Sequence, residues 1–418
     1  MWSLLNNSAW YRHCNRAVNS VVFCTSVLLL QPLSVAASEF EASGNIAIEQ
    51  RYFFKKALFT EQLGHNQTSL SVEPELYWQW NNGNDSLLFT PFLRVDSQDN
   101  QRTHADIREL AYIHVSDDWE VRIGVRKEFW GVTEFQHLVD VINQTDGVED
   151  FDGEDKLGQQ MINLSLVNDW GIVDVFLLPG FRERTYAGKE GRLRSALVVA
   201  ENNVSYESSA GQQHLDFAIR WAHSVGDFDI GASWFHGTNR EAYFSPSSFE
   251  PTAKLAQYYA QMDQIGIDVQ ATLGDWLWKF ESIYRSTHVE DFIATQVGFE
   301  YSFIGVFESN VDLGLLTEHS WDSRGEVGLG EQGSLTQNDL FLGARLAFND
   351  IQSSELLMGI GSDLDHNAFS FIVEASRRLG DDFIISVDVR LLQSNDKNDL
   401  LYSLSDDDHA QLSLAWYF

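Results

Sequence analysis

The chain alternates between apolar and polar positions along most of its length. In residues 409–418 every even-numbered side chain is apolar, ending on Trp416 and Phe418, whereas the odd-numbered ones are smaller or carry a polar group. A period of two is that of a β-strand with one apolar face. Segments of about ten residues with this period recur from about residue 43 onward, for example at 293–303 and 383–391. No helical period competes over comparable lengths, so the pattern predicts an all-β fold.

Short and long connections alternate between these segments. Tight turns, most of them containing Gly, Asn or Asp, fall at 81–84, 117–118, 168–169, 226–227, 274–275, 304–305, 349–350 and 380–382. Longer polar links fall at 55–67, 97–103, 131–159, 179–212, 237–255, 286–290, 318–337, 361–367 and 394–407. About ten residues is the length that a tilted strand needs to cross a membrane, and membrane barrels have short periplasmic turns and long outer loops. We therefore predict a transmembrane antiparallel up-and-down β-barrel of about 18 strands.

Composition and charge narrow the class of protein. Aromatic residues make up 13% of the chain and only 6 residues are proline. Both values fit a membrane barrel, whose strands must all pair and whose interfaces carry aromatic girdles; a large soluble β-sandwich or propeller is the alternative. The formal net charge of −33 argues against nucleic acid as a partner, because phosphate binding needs a basic surface. An acidic surface can still lie beside anionic lipopolysaccharide if divalent cations bridge the two.

The first segment, residues 1–37, has the pattern of a secretory signal peptide. Two arginines precede a short apolar run at 21–30, and small residues follow at 34–37. The run is shorter than the ~20 residues that a membrane-spanning helix needs. Both cysteines of the chain fall within this segment, so the predicted mature barrel, residues 38–418, contains no disulfide and no thiol.

If the apolar faces contact lipid, the opposite faces line the lumen. The predicted pore-lining residues are charged and of both signs: Glu73, Glu75, Arg94, Arg108, Arg122, Arg126, Arg220, Lys279, Glu281, Arg345, Glu374, Arg378, Asp388 and Arg390. They predict a water-filled pore whose walls set selectivity, and a lumen closed by cross-strand ion pairs is the alternative. Side chains alone cannot fill a barrel of this size, so water or an inward-folding loop must occupy the interior.

Glu109 does not fit the pattern, because it falls on the apolar face between Ile107 and Ala111. A charge that faces lipid is costly near the middle of a membrane. Either a β-bulge turns this side chain, or this stretch stands above the bilayer.

The candidate for an inward-folding loop is the link 131–159. Its apolar residues, among them Phe135, Val139 and Ile142, indicate packing against another surface. Five acids surround the glycine of this link at position 153, and they are Glu149, Asp150, Asp152, Glu154 and Asp155. Oxygen ligands of this kind suit Ca²⁺, but the complete calcium-loop pattern is absent, and a solvated acidic loop that repels anions is the alternative. No other cofactor is predicted.

Two features carry a resemblance to known proteins. One is the terminal aromatic strand, and the other is a motif around the start of the candidate loop that comprises Gly124, Arg126, Trp130, Gly131, Asn143 and Asp146. In these features the chain resembles porin-like outer-membrane β-barrel proteins of bacteria, most of them uncharacterised. The resemblance implies a constriction loop that includes the last four of these residues, and a terminal aromatic residue read by the barrel assembly machinery. Related families often have Asn-Pro-x-Asp where this chain has Asn-Gln-Thr-Asp.

Together these observations predict a channel in the outer membrane of a Gram-negative bacterium. It would pass small hydrophilic solutes by diffusion and prefer cations or neutral solutes, because the loops are acidic. One alternative is a barrel that binds or helps export a surface polysaccharide through the links 179–212 and 318–337. Another is a barrel-wall hydrolase, although His214, His223 and His236 lie near strand ends and no Gly-x-Ser-x-Gly elbow is present. Membrane lipid and lipopolysaccharide are predicted partners, a homo-oligomer is compatible with the pattern, and an open pore and a plugged barrel both remain compatible with it.

Overall fold

The computed structural model describes residues 38–247, 254–325, 337–397 and 399–418, and the predicted signal peptide at 1–37 lies outside them. Within these residues the chain forms twenty-one β-strands. In chain order they are β1 Glu39–Phe53, β2 Asn66–Trp80, β3 Asp85–Asp96, β4 His104–Val115, β5 Trp119–Arg126, β6 Gln159–Asn168, β7 Gly171–Pro179, β8 Val199–Tyr206, β9 Leu215–Val225, β10 Phe228–Thr238, β11 Tyr243–Pro246, β12 Leu255–Tyr259, β13 Gln261–Leu273, β14 Trp276–Thr287, β15 Asp291–Val306, β16 Val311–Asp322, β17 Asn338–Ala347, β18 Glu355–Asp363, β19 Ala368–Leu379, β20 Phe383–Ser394 and β21 His409–Tyr417. Short 3-10 helices lie at Asn81–Gly83, Gly211–Gln213 and Leu400–Leu404. No helix among the described residues is both long enough and apolar enough to cross a membrane.

Eighteen of the strands form one closed antiparallel sheet. Each strand pairs with the next barrel strand in the chain, and β1 also pairs with β21, where Asn45 lies opposite Tyr417. Gly44 and Phe418 exchange two backbone hydrogen bonds of 3.1 Å at this seam. Because the first and last strands pair, the sheet has no free edge. The prediction of an all-β antiparallel barrel of about 18 strands is confirmed.

The two faces of the barrel differ as a membrane barrel requires. Apolar side chains such as Ile48, Leu93 and Ile265 point outward and are about half exposed. An outer cluster of aromatic rings, including Trp276, Phe299 and Tyr301, lies at the rim that carries the short turns. The inner face carries polar and charged side chains, many of which are buried. This arrangement matches an apolar outer band with aromatic girdles around a polar interior.

Glu109 faces inward because strand β4 contains a β-bulge. Glu109 lies opposite Thr90, whereas Ile107 lies opposite Pro91, so Arg108 between them has no partner across the strand pair. A bulge of this kind leaves one extra residue on one strand and shifts the alternation by one position. Of the two explanations that the sequence allows for this charge, the bulge is the one found.

The outer rim carries a second sheet that the sequence pattern does not predict. Strand β12 pairs with β11 in antiparallel and with β8 in parallel orientation. Strands β8 and β11 lie within the predicted polar links 179–212 and 237–255, and β12 begins at the last residue of the second link. A small apolar core of Phe181, Ala242 and Tyr259 supports the three strands. The predicted link 318–337 also begins too early, because β16 continues to Asp322. Short strands with mixed composition give too weak an alternation to be recognised.

Candidate functional site: the constricted lumen

Residues 127–158, which join β5 to β6, cross the barrel interior and are called the inward loop below. At its start, Trp130 is buried and its ring meets that of Phe176 on β7 edge-on. Val139 and Ile142 are fully buried in the same apolar cluster, which includes residues from β6, β7, β9, β10 and β13 to β15. Phe135 instead packs on the far wall, in a second cluster with side chains of β16 to β19. The loop therefore spans from one wall to the other.

Glu281 on β14 is the main anchor of this loop. Its carboxylate is fully buried and accepts backbone hydrogen bonds from Val132 (2.6 Å), Thr133 (3.0 Å) and Val139 (3.2 Å). The Thr133 hydroxyl donates a further bond of 2.7 Å. Gly131 precedes these residues at φ +134°, and a Cβ there would lie 2.8 Å from a Glu281 oxygen. A glycine is therefore needed for the loop to approach the carboxylate closely.

A second anchor holds the stretch around Phe135. Glu318 on β16 accepts hydrogen bonds from the backbone nitrogens of Glu134 and Phe135, at 2.8 and 3.0 Å. The Glu134 side chain in turn binds Lys279 at 2.5 Å and Arg345 at 3.1 Å. Glu134 thus has two cationic partners, whereas the buried Glu318 carboxylate is bound by the two backbone nitrogens and by the Gln296 amide at 2.8 Å. Pairing and hydrogen bonding are the conditions under which charges are tolerated away from water.

The acidic part of the loop faces a wall of arginines. Four separate ion pairs connect it to strands β4, β3, β1 and β20, namely Asp146–Arg108 (2.5 Å), Glu149–Arg94 (2.7 Å), Asp150–Arg51 (3.1 Å) and Asp152–Arg390 (2.9 Å). Glu154 lies 3.3 Å from His137 within the loop. Four of the five predicted cation-binding acids, Glu149, Asp150, Asp152 and Glu154, therefore bind different basic partners.

Asn143 holds the two ends of the inward loop together. Its side-chain oxygen accepts from the backbone nitrogen of Glu128, and its amide donates to the carbonyls of Arg126 and Leu157, each at 2.8 Å. All three hydrogen bonds of the Asn143 side chain therefore go to backbone atoms at the two ends of the loop. The asparagine that the motif singles out thus closes the base of the loop.

Several residues of the inward loop have shifted pKa values, and those of Asp146 and His137 bear on how the loop is held. Burial opposes ionisation of Asp146, but the adjacent His104 and the charge of Arg108 hold the pKa of this carboxyl well below its usual range. Burial also disfavours charged His137, yet Glu154 and Glu281 nearby raise its pKa above the ordinary histidine value. Both shifts favour the charged forms that hold the loop in place.

Among the described residues, His104, Asp146 and Glu149 form a group whose potential metal-ligand atoms lie within 4.8 Å of one another. Only Glu149 belongs to the acids that the sequence analysis assigned to cation binding. The two carboxylates already bind Arg108 and Arg94, so this group is an ion-pair network in which a cation would compete with two guanidinium groups.

The predicted pore-lining residues all lie on inward-facing positions, but they have different surroundings. Those at the level of the inward loop contact it or form buried wall pairs: Arg94, Arg108, Arg220, Lys279, Glu281, Arg345, Glu374, Asp388 and Arg390. Arg122 and Arg126 bind Glu120 and Glu128 beside their own strand. Glu73, Glu75 and Arg378 lie on the side of the short turns, where Glu75 is exposed. This part of the interior is called the vestibule below.

Several side chains that shape the site escaped the sequence analysis. Arg102 lies in the predicted outer link 97–103, yet it is buried and binds Glu49 (2.9 Å) and Asp96 (3.0 Å). Glu318 was placed at the start of a link because the strand end was misjudged. His137 gave no pattern of its own. The alternation on β1 and β16 could have identified Glu49 and Glu318 as inward-facing, but their loop partners have no sequence signal.

The outer connections also cover part of the lumen. The segment between β7 and β8 reaches across the mouth, where Arg192 and the backbone of Leu193 bind the Asp407 carboxylate. A cavity of about 470 Å³ lies between this segment and the β3–β4 connection. Its lining includes polar side chains, among them Asn100, Asn202 and Asn203.

Comparison with known proteins gives fold relatives only. No protein-family model and no curated protein matches the sequence. Among solved structures, Pseudomonas aeruginosa OccK3 (OpdO) is similar with a TM-score of 0.53 at 9% identity, over 90% of this chain and 96% of that one. A loop-deletion mutant of OmpT from Vibrio cholerae gives 0.46 at 8%, and a mutant Rh. blastica porin gives 0.44 at 10%, each over 91% of this chain and the whole of the other. The chain thus has the barrel fold of bacterial porins.

Proposed function

We propose that this protein is a porin-like channel in the outer membrane of a Gram-negative bacterium, through which small hydrophilic solutes diffuse. The observation that supports this most is the combination of a lipid-compatible outer face with a charged interior narrowed by the inward loop. A protein that only needed a stable barrel would not require so many paired charges around a loop in its interior. In a channel, such a loop reduces the wide lumen to a passage that can select among solutes.

The vestibule favours cations. Glu41, Glu73, Glu75 and Glu109 all face this region and outnumber the arginine of the vestibule, Arg378, and Glu75 is exposed. The arginines at the level of the inward loop, by contrast, bind acids of the loop and wall. Since paired charges contribute little net field, the acids of the vestibule should dominate the selectivity.

The first experiment is single-channel recording from the refolded mature protein in a planar bilayer with a KCl gradient. We expect steady conductance and a reversal potential displaced from zero towards the equilibrium potential of K⁺. Glu73→Gln with Glu75→Gln should move that potential towards zero. Asp117→Asn with Asp118→Asn, which removes the same charge from a turn at the rim, is the matched control. A correctly folded, heat-modifiable barrel without current would refute the channel.

The second candidate is a barrel that binds a surface polysaccharide. The 470 Å³ cavity at the outer mouth favours it, because its size is that of a small-molecule site and its amide side chains can hydrogen-bond to sugar hydroxyls. Asn202→Ala with Asn203→Ala should abolish glycan binding on an array while leaving conductance unchanged. Unaltered binding of every glycan by this variant would remove this candidate. Of the histidines that the hydrolase hypothesis considers, His214 and His236 pair with Asp216 and Asp263.

Three further assignments accompany the channel. We propose contacts of the outer band with membrane lipid and of the acidic outer loops with lipopolysaccharide through divalent cations. Phe418 at the seam would be read by the barrel assembly machinery. A homo-oligomer is tested by mass measurement of the barrel in detergent.

A further inference from the structure

Two aspartates lie directly opposite each other on the inner wall. Asp339 on β17 is the cross-strand partner of Asp363 on β18, near the outer end of the lumen. Like charges directly across a strand pair destabilise each other. Asp363 is balanced by hydrogen bonds from the backbone of Asp365 and His366 and by the His366 ring at 3.1 Å.

Asp339 has no comparable compensation. The residue is 7% exposed, and its Oδ2 is a buried atom without a hydrogen-bond partner among the described residues. The same holds for Oδ2 of Asp399, whose Oδ1 accepts from the backbone of Leu401 at 2.8 Å. A buried carboxylate oxygen without a hydrogen-bond donor destabilises the fold. These two oxygens are therefore free to accept hydrogen bonds from a bound solute.

Both aspartates line the same cavity. It lies between the inward loop and strands β17 to β20, and its volume of about 80 Å³ exceeds the ~10–15 Å³ that one water molecule needs. Phe135, Phe151 and Phe341 form an apolar side of this cavity. Among the described lining residues the one cationic group is Arg390, which is already bound to acids at 2.9 to 3.6 Å.

The arrangement of the acceptor oxygens suits an organic cation better than a metal ion. Of the described residues, the group with ligand atoms within 4.8 Å of one another is the one around His104, so the oxygens of Asp339, Asp363 and Asp399 are spaced more widely than a bare ion requires. An ammonium group has three N–H donors that can reach separate acceptors. The neighbouring aromatic rings can contact both the charge and a short alkyl chain.

We propose that the cavity between the inward loop and β17–β20 is a subsite that binds small primary alkylammonium solutes through Asp339 and Asp399. This inference rests on the proposed channel function. Such solutes would pause there on their way through the lumen. The channel would then favour amines above the level that the vestibule charge alone provides.

The test uses ethylammonium as the probe. In wild-type channels, micromolar-to-millimolar ethylammonium should reduce the K⁺ current in a saturable manner, whereas tetramethylammonium, which has no N–H, should not. Asp339→Asn should weaken the block about tenfold, as expected for the loss of one charge-assisted hydrogen bond. Asp381→Asn in the exposed β19–β20 turn, which removes the same charge, should leave the block unchanged.

Equal block in wild type and Asp339→Asn, or equal block by tetramethylammonium, would overturn the subsite while the channel stands. A barrel without K⁺ current would instead overturn the channel. In that case the subsite is tested by equilibrium dialysis of radiolabelled ethylammonium against the folded barrel in detergent. We expect the wild type to bind the probe and Asp339→Asn to lose this binding. Heat-modifiable migration establishes that each variant is folded.

Discussion

Glu281→Ala should release the inward loop from the barrel wall. The substitution removes the acceptor of three backbone N–H groups and one hydroxyl, all at 2.6 to 3.2 Å. A buried donor left without an acceptor costs about 1–3 kcal/mol, so three backbone donors cost about 3–9 kcal/mol. The lower figure alone changes the ratio of anchored to released loop more than about 100-fold. We expect larger single-channel conductance with frequent transitions between levels.

Glu281→Gln provides a graded version of the same change. The amide retains an oxygen for the bonds at Val132 and Thr133, but it presents N–H to the Val139 N–H, where an acceptor is needed. We expect transitions that are rarer than in Glu281→Ala but more frequent than in the wild type. Glu120→Ala is the matched control, because Glu120 faces inward and pairs with Arg122 on its own strand.

The assay is current recorded in 1 M KCl, with heat-modifiable migration on gels as the test of folding. If folded Glu281→Ala conducts at the wild-type level without added transitions, the loop is held by its apolar contacts and the reasoning above is wrong. If Glu120→Ala shows the same transitions, loss of any inward acid disturbs the barrel, and the effect is not specific to the anchor.

Three further predictions concern the same loop. Gly131→Ala should cost about 1–3 kcal/mol through its positive φ and the Cβ contact with Glu281, and should show the transitions of Glu281→Gln; unchanged recordings would contradict this. Asp146→Asn should weaken anchoring of the loop by about 3–5 kcal/mol at neutral pH, seen as added transitions in the recordings. Because the pKa of Asp146 is lowered in the folded protein, the wild-type ion pair should hold the loop from pH 7 to about pH 4 and fail only in stronger acid. The raised pKa of His137 stabilises the anchored loop below pH ~6.5 and ceases to do so as pH rises through the folded value, so transitions should increase in alkaline buffer and lose this dependence in His137→Gln.

The barrel was predictable because each strand carries its own signal. Alternation over about ten residues identifies a strand without knowledge of its partner, and consecutive hairpins then determine the pairing. The bulge at Arg108 was visible only as the misfit of Glu109, because a local pattern shows that a charge is misplaced but not how the backbone resolves it. The strands of the outer sheet were missed, since β8 and β12 are short and pair across a long separation in sequence.

The site was predictable only in part. Alternation shows that Arg390 faces inward, but nothing local shows that it binds Asp152, which lies 238 residues away. The same applies to Glu281, 149 residues from Val132. The acids of the inward loop therefore suggested a cation site, whereas their positions opposite arginines follow from how the loop crosses the lumen. Asp339 was not predicted as a site residue, because a single aspartate at a strand end is common.

The seam between β1 and β21 determines how late the barrel can be completed. Arg51 and Gln411, which bind each other across it at 2.6 Å, are 360 residues apart in sequence. Contacts between residues so far apart in sequence make folding slow, because the chain between them loses conformational entropy before the contacts form and contribute stabilising energy. Until the seam forms, the sheet is an open ribbon with two unpaired edges that can recruit other chains. The barrel consequently depends on protection of these edges during its assembly, and substitutions that weaken the seam should prolong the lifetime of the open ribbon.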